Sequence, residues 1–495
     1  MTRLLHGAAC AMLAMGVAGA VAACAGKAVP EAAGRHAVDV DSCRALFALV
    51  DATVEEAGVG DAQFSRIDGY PYLRIDRFLA DASIKPDLDG EGFDVWVEAL
   101  RARDADTRRV ELRNLPAPAR DGLGNGAAER LDACATVLEH EDTDSPEDRQ
   151  RLLSAAQVPD DYSVSLRVAG LYPFTSLPFK AGVGDLHESM LAEFARPLES
   201  LPVAGRLQRY GRPAAGALSA TSIRELLQDA GRDAHGVPAL SAAEIAGLFE
   251  TFAPTYEIDI ATDDDRIGAP YWSHDGLPSV DVQRPVVFRR VSFARLDGDT
   301  LLQLNYSVWF PSRPPEGDFD LLSGRLDGIT FRVTLARDGR PLLYDIMHNC
   351  GCYHLFLPTT RLALKPPSGA HEEAPLVPQR IEPRIGGPTL RIAHGTHYLQ
   401  RVYFDDSPRA EERVYEFLDD DALRSLPLAD GERRSLFDSD GLVTGSERGE
   451  RWLFWPMGIA EPGAMRQWGR HATAFVGTRH FDDPDLIERY FVLVE

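Results

Sequence analysis

Lysine is scarce: it occurs only at Lys27, Lys85, Lys180 and Lys365 in a chain of 495 residues. Arginine is abundant beside Ala, Gly and Asp, which reads as codon bias rather than chemistry. Acids still outnumber bases and leave a net charge of −24 at neutral pH. Nucleic-acid binding needs a basic footprint to displace counterions from phosphates, so no nucleic-acid partner is expected. The same charge repels anionic lipid surfaces. Familiar catalytic signatures are missing as well. There is no GxSxG elbow, no Walker loop and no GxGxxG. His187-Glu188 and His371-Glu372 each begin an HExxH but lack its second histidine. Beyond the first two dozen residues nothing approaches the roughly 20 apolar residues of a membrane span. No internal repeat or long low-complexity tract occurs.

The N-terminus, MTRLLHGAACAMLAMGVAGAVAAC, has Arg3 followed by an apolar run rich in Ala, Leu and Met. A charged start and a short apolar stretch form a secretory signal and not part of the fold. The run ends in Val21-Ala22-Ala23-Cys24, and here the leader resembles that of bacterial lipoproteins, with small residues before an invariant cysteine. The resemblance covers residues 1–23 and Cys24 alone. It implies that Cys24 is lipidated and becomes the first mature residue. Ala25 follows, not the Asp that in this class signals inner-membrane retention, so the resemblance implies the outer membrane, periplasmic face, with the lipid anchor as membrane partner. A plain cleavable signal peptide is the other reading of the same residues. Residues 24–38 are small and polar and read as a flexible tether.

Removing Cys10 and Cys24 leaves Cys43, Cys134, Cys350 and Cys352. In an oxidising compartment four free thiols would be unusual. Cys43 and Cys134 sit on helix-like segments and can bridge, closing a loop of about 90 residues and contributing on the order of 4–5 kcal/mol by the chain-entropy argument. Cys350 and Cys352 then remain for each other or for a ligand, and the sequence leaves other connectivities open.

The pattern along the chain is α+β, with a helical N-terminal half and an antiparallel β-rich C-terminal half. Residues 39–253 read as the mainly helical region and 254–495 as a β-rich domain carrying the candidate site. Helices are expected near 42–58, 93–103, 126–139, 145–156, 185–196, 221–230 and 242–252. Ser145 with Pro146, and Ser241 with Glu244, are helix starts. Residues 160–170, DDYSVSLRVAG, alternate and read as a strand, with LYPFTSLPF as the loop after it. Strands follow at YEIDI, VVFRRVSFARL, LLQLNYSVWF, GITFRVTLA and PLLYDIMHN. Arg337-Asp338-Gly339-Arg340 should turn the last two into a hairpin. Further strands are expected at 398–404, 412–417, 451–455 and 472–478, and proline-rich 365–388 reads as a loop.

Chemistry concentrates in YDIMHNCGCYHLFLP, where His348, Cys350, Cys352 and His354 occupy alternate positions. Imidazole and thiolate suit zinc or another transition metal. On a straight strand at about 3.3 Å per residue, His348 and His354 would stand roughly 20 Å apart, beyond the reach of one ion. A metal site there requires a bend at Gly351, or completion by His394 and His397 from His-Gly-Thr-His; His471 and His480 are weaker candidates. Two other readings compete. Cys350 and Cys352 can form a structural disulfide or pack as small hydrophobes, or they can be a redox-active pair, because a bridge across one residue is strained and easily reduced.

Asp87, Asp89, Glu91, Gly92 and Glu98 resemble an EF-hand calcium loop, although Glu91 and Asp94 depart from its pattern. The plainer reading is an acidic turn before a helix built on Phe93, Trp96, Val97 and Leu100, so calcium is not the expected cofactor. Asp263-Asp264-Asp265 reads as a solvated turn. Three functions follow: a metalloprotein, conceivably a hydrolase whose ion acidifies a bound water; a non-catalytic envelope binding or scaffold protein; or a thiol–disulfide redox protein. Which of them is an enzyme is left open by the sequence.

Overall fold

The computed structural model describes residues 39–85, 88–211, 216–317, 319–366, 372–405 and 412–494. The leader 1–23, the tether 24–38 with Cys24, and Asp87 lie outside the described residues. Among those described, no helix is long and apolar enough to cross a membrane.

The first helix, Val40–Ala57, starts where Asp39 accepts a hydrogen bond from the Ser42 amide at 2.8 Å. It stops at Gly58, whose φ of 63° is left-handed. Its buried face, Cys43, Phe47, Val50 and Val54, packs on a hairpin of Ser65–Ile67 and Tyr70–Ile75 and on the helices Gly90–Asn114 and Ala127–Thr143. Burial of side chains as large as Phe47 and Trp96 contributes roughly 1.5–3 kcal/mol each. Cys43 and Cys134 are disulfide-bonded across this core, 91 residues apart in sequence. The helix Gly90–Asn114 begins inside the acidic run, so Glu91, Asp94 and Glu98 are helical, and Phe93, Trp96, Val97 and Leu100 are buried beneath them.

The chain then departs from the sequence reading. Residues 164–169 form a helix, not a strand, capped by Ser163, whose Oγ accepts from the Leu166 amide. Over so few residues alternation and a helix face are hard to tell apart, and the serine cap decides. The expected loop after it is the first third of a helix, Tyr172–Ala195, which holds Pro173 in its first turn and Pro178 inside. Proline is tolerated at a helix start and costs a hydrogen bond in the interior.

Two sheets dominate the second half. The larger runs Leu355–Pro358, Pro341–His348, Gly324–Leu335, Asp299–Arg313, Val286–Leu296 and Glu416–Asp419, antiparallel except for its last pair. The smaller runs Leu399–Tyr403, Thr389–Ile392, Thr255–Ile260, Arg206–Gly211 and Glu412–Val414, with two parallel pairs. The α+β class with helices mostly early and sheets late therefore holds, the pairing being mixed rather than purely antiparallel. Tyr256, Tyr306, Phe331 and Ile392 belong to the shared core, together with Met190, Phe194, Leu227 and Leu248 from the helices Tyr172–Ala195, Ala220–Asp229 and Ala242–Thr251. Arg206–Gly211 pairs with Thr255–Ile260, so a division at 253/254 cuts one sheet.

Two expected strands are absent. Residues 451–454 are a short helix followed by a 3-10 turn, Trp455–Met457, where Pro456 has no amide hydrogen to give a ladder. Residues 472–478 are irregular, tied by a single bridge between Ala472 and His480.

Candidate functional site

The strand Pro341–His348 turns back on itself and pairs with Leu355–Pro358, Ile346 opposite Leu355. The expected bend at Gly351 is this turn: Gly351 has φ 91°, and its amide donates to the His348 carbonyl at 2.7 Å. The His348 amide donates to the Cys352 carbonyl at 3.0 Å. A β-carbon at 351 would stand 2.4 Å from the Ala472 carbonyl oxygen, so both the conformation and the close approach demand glycine. Neighbours fix the turn further. The Asn349 side-chain amide donates to the Val308 carbonyl at 3.2 Å, and Arg466 Nε donates to the Cys350 carbonyl at 3.2 Å.

The bend sets both thiols on one cavity wall, which His354 also lines, while the imidazoles pair with carboxylates. Cys350 is buried, Cys352 half-buried, and both are unbridged. A hydrogen bond from Cys352 and the nearby Arg448 hold the Cys350 thiol below its usual range, whereas that same bond, with burial, pushes Cys352 well up. The first proton of the pair therefore leaves more easily than from a lone thiol, and the second with difficulty.

Each expected histidine ligand faces a carboxylate instead. His348 Nδ1 lies 3.4 Å from Asp327 Oδ1, and His397 Nδ1 lies 2.8 Å from Asp327 Oδ2. Arg448 Nη2 donates to Asp327 Oδ1 at 3.1 Å. Burial opposes ionisation of Asp327, but Arg448 and the two histidines outweigh it and hold the carboxyl well below the usual range. His348 is lowered by burial; His397 is raised, because hydrogen bonds to Asp265 and Asp327 outweigh its burial. Phe310 stacks on the His397 ring at 3.9 Å. Asp265 is thus not a solvated turn residue: it is buried and accepts from the Gly395, Ala261 and Thr262 amides. His394 is partly exposed, 3.5 Å from Asp259. So His348 and His397 do meet, but around a carboxylate.

His354 belongs to another brace. Its Nε2 lies 2.9 Å from Asp345 Oδ2, and Asp345 is held bidentately by Arg332 at 2.9 and 2.5 Å. Burial lowers the His354 ring to about 4, so it is neutral. Thr473 Oγ1 lies 3.3 Å from His354 Nδ1, which draws a hydroxyl–imidazole–carboxylate line. That hydroxyl also accepts from Arg479 Nε at 3.1 Å and faces the Arg479 carbonyl at 3.3 Å. Its lone pairs and proton are committed, and the line acts as a structural brace. His471 is buried beside the Asn349 and Arg466 backbone, and His480 lies among Asp160, Asp161 and Asp483. No group of three or more His, Cys, Asp or Glu side chains among the described residues is arranged to hold a metal ion.

The thiols instead border a cavity of about 430 Å³. Phe179, Val183, Leu186 and Met190 of the helix Tyr172–Ala195 form one wall, and Phe454, Ile459 and Phe475 another. Phe454 makes edge contacts with Phe179 at 5.4 Å and Phe475 at 4.9 Å. Glu450 also lines it, a residue that sequence reading missed. Its side chain is buried and, among the described residues, no hydrogen bond reaches it, whereas Asp327, Asp345 and Asp265 are each held by two or more partners. Burial raises the Glu450 carboxyl to about 7, against the pull of Arg448. Perturbed acids in pockets mark functional sites more often than chance. Nothing in Gly449-Glu450-Arg451 announces this; the only cue is the Pro462-Gly463 turn that makes room for it.

Compared with known protein families, curated proteins and solved structures, the chain matches none.

Proposed function

We propose that this chain is a bacterial envelope lipoprotein, lipidated at Cys24 and held at the periplasmic face of the outer membrane, whose Cys350-Gly351-Cys352 turn is a thiol–disulfide redox centre. One observation carries the redox reading: two unbridged thiols, one residue apart across a tight turn, lie in the wall of an apolar cavity that the buried Glu450 carboxyl also lines. In the reaction, the Cys350 thiolate attacks a sulfur of a disulfide substrate, forms a mixed disulfide and releases one thiolate. Cys352 passes its proton to Glu450 and attacks Cys350 Sγ, which expels the second thiolate. Two electrons move to the substrate, and the chain keeps a Cys350–Cys352 bridge, which the reverse reaction with a dithiol reduces. Arg448 stabilises the thiolate, and the apolar walls strengthen that attraction.

A transition metal, zinc foremost, is the second reading, and the contact between two soft donors favours it. His348, His354, His394 or His397 would have to leave carboxylate partners to complete such a shell. Bound metals and free thiols measured together on protein purified without chelator separate the readings. Two free thiols after mild reduction with no metal support the redox centre. Stoichiometric metal with two thiols released by chelator supports the metal site. No metal and no reducible bridge leaves a non-catalytic envelope binding or scaffold protein.

A further inference from the structure

Helices on a protein surface normally carry one apolar stripe, and a helix apolar on opposite faces is covered on both. Tyr172–Ala195 breaks that expectation. Phe179, Val183, Leu186 and Met190 face the cavity, yet Phe174, Leu177 and Leu191 are exposed, Phe174 by 71%. From Tyr172 to Gly184 its only charged residue is Lys180. The preceding helix Val164–Ala169 adds exposed Val164 and Val168. Trp452, exposed by 71%, with Leu453 and Trp455, continues the same face. The pieces adjoin: Arg167 Nε donates to the Met457 carbonyl at 2.9 Å, and Phe179 touches Phe454. A patch of this kind marks an interaction surface.

We propose that this face rests on a zwitterionic lipid surface, with the cavity wall immediately behind it. Tryptophan beside aliphatic residues, rimmed by Arg167, Lys180 and Arg451, is the make-up of segments that lie in a bilayer interface. The chain preceding the described residues favours the same occupant. From Cys24 to Asp39 the backbone spans at most about 50 Å, so a lipid at Cys24 keeps Asp39, where the folded body begins, within that distance of the bilayer. That last step rests on the lipoprotein reading; the patch itself does not. With a net charge of −24 over the whole chain, attachment is apolar rather than electrostatic. Pro178 and Gly182 are exposed on this helix and also line the cavity, so an apolar, membrane-dissolved thiol or disulfide compound would enter beside the patch.

Hydrogen exchange of the mature chain from residue 24 onward carrying Cys24→Ser, with and without phosphatidylcholine vesicles, tests this without leader or lipid anchor. Expected are slowed exchange in 164–177 and 451–456 on vesicle addition, no loss of that protection at raised salt, and partition weakened about tenfold or more in Phe174→Ser/Leu177→Ser/Trp452→Ser. Circular dichroism and thermal unfolding confirm that the triple variant is folded. Unchanged exchange with vesicles, or equal partition by the triple variant, overturns the proposal. Protection that grows with protein concentration in the absence of vesicles overturns it in favour of a second copy. The anchor is read separately, from the mass of the wild-type mature N-terminus.

Discussion

A β-carbon on Gly463 would stand 2.1 Å from Oε1 of Glu450. The buried carboxyl occupies its place only because residue 463 is glycine, and the φ of 86° there favours glycine independently. Gly463→Ala should therefore displace Glu450 and, by moving its negative charge away, speed alkylation of Cys350 and Cys352. Glu450→Gln, which keeps the shape and removes a negative charge that raises both thiols, should speed alkylation similarly at neutral pH while leaving the fold intact. Thiol labelling rates on the two variants check this; normal rates in both would remove Glu450 from the redox centre.

Glu450 also makes stability depend on pH. Its carboxyl is raised by burial from an ordinary 4.5 to about 7. Between those values the folded chain binds more protons than the unfolded one, so this residue costs stability as pH rises from about 4.5 through about 7. Glu450→Gln should match the parent near pH 4 and exceed it by about 3 kcal/mol above pH 8. Urea midpoints across this range give the difference directly.

His480 gives a pH dependence of the same sign over a higher range. Burial disfavours its charge, but hydrogen bonds to Asp160 and Asp483 raise it from 6.5 to about 9. Its contribution is full below about pH 6.5 and is lost as pH rises through about 9. Because Asp160 and Asp161 come from the N-terminal part and Asp483 from the C-terminal end, this contact ties the two together. His480→Gln should cost on the order of 2–3 kcal/mol at pH 6, and the deficit should narrow above pH 9. A deficit independent of pH would mean that only packing, such as the edge contact with Tyr162, was lost.

The Cys43–Cys134 bridge spans 91 residues of the N-terminal core. Replacing both with alanine should lower unfolding free energy by about 4 kcal/mol. Native-state alkylation after mild reduction should label Cys350 and Cys352 before either of these, since Cys43 and Cys134 are enclosed by the core.

Long apolar strands were legible in the sequence: VVFRRVSFARL is the strand Val286–Leu296 to the residue, and Arg337–Arg340 makes the expected turn. Residues 164–184 were not, because Pro173, Pro178 and two internal glycines imitate a loop where tertiary packing sustains a helix, whereas the end of that helix was expected at 185–196. The aromatic runs at 451–455 and 472–478 look like strands but have no ladder to join. At the site, the bend at Gly351 was one of two ways the reach argument offered to close a metal shell, and the chain does turn there. The histidine partners did not, since Asp327 and Asp265 lie 70 and 130 or more residues from His397 and its turn. A lone buried Glu450 leaves no periodic trace at all.

The central claim is that Cys350 and Cys352 exchange two electrons. Poising the full-length protein in glutathione buffers of stepped potential, trapping free thiols and counting labels on the peptide carrying both residues tests it most directly. The account predicts a single two-electron transition with a midpoint above roughly −300 mV, in the range of exchangeable rather than structural disulfides. A pair that stays fully reduced or fully bridged at every potential, or thiols that label only after a chelator strips a bound metal, would contradict it.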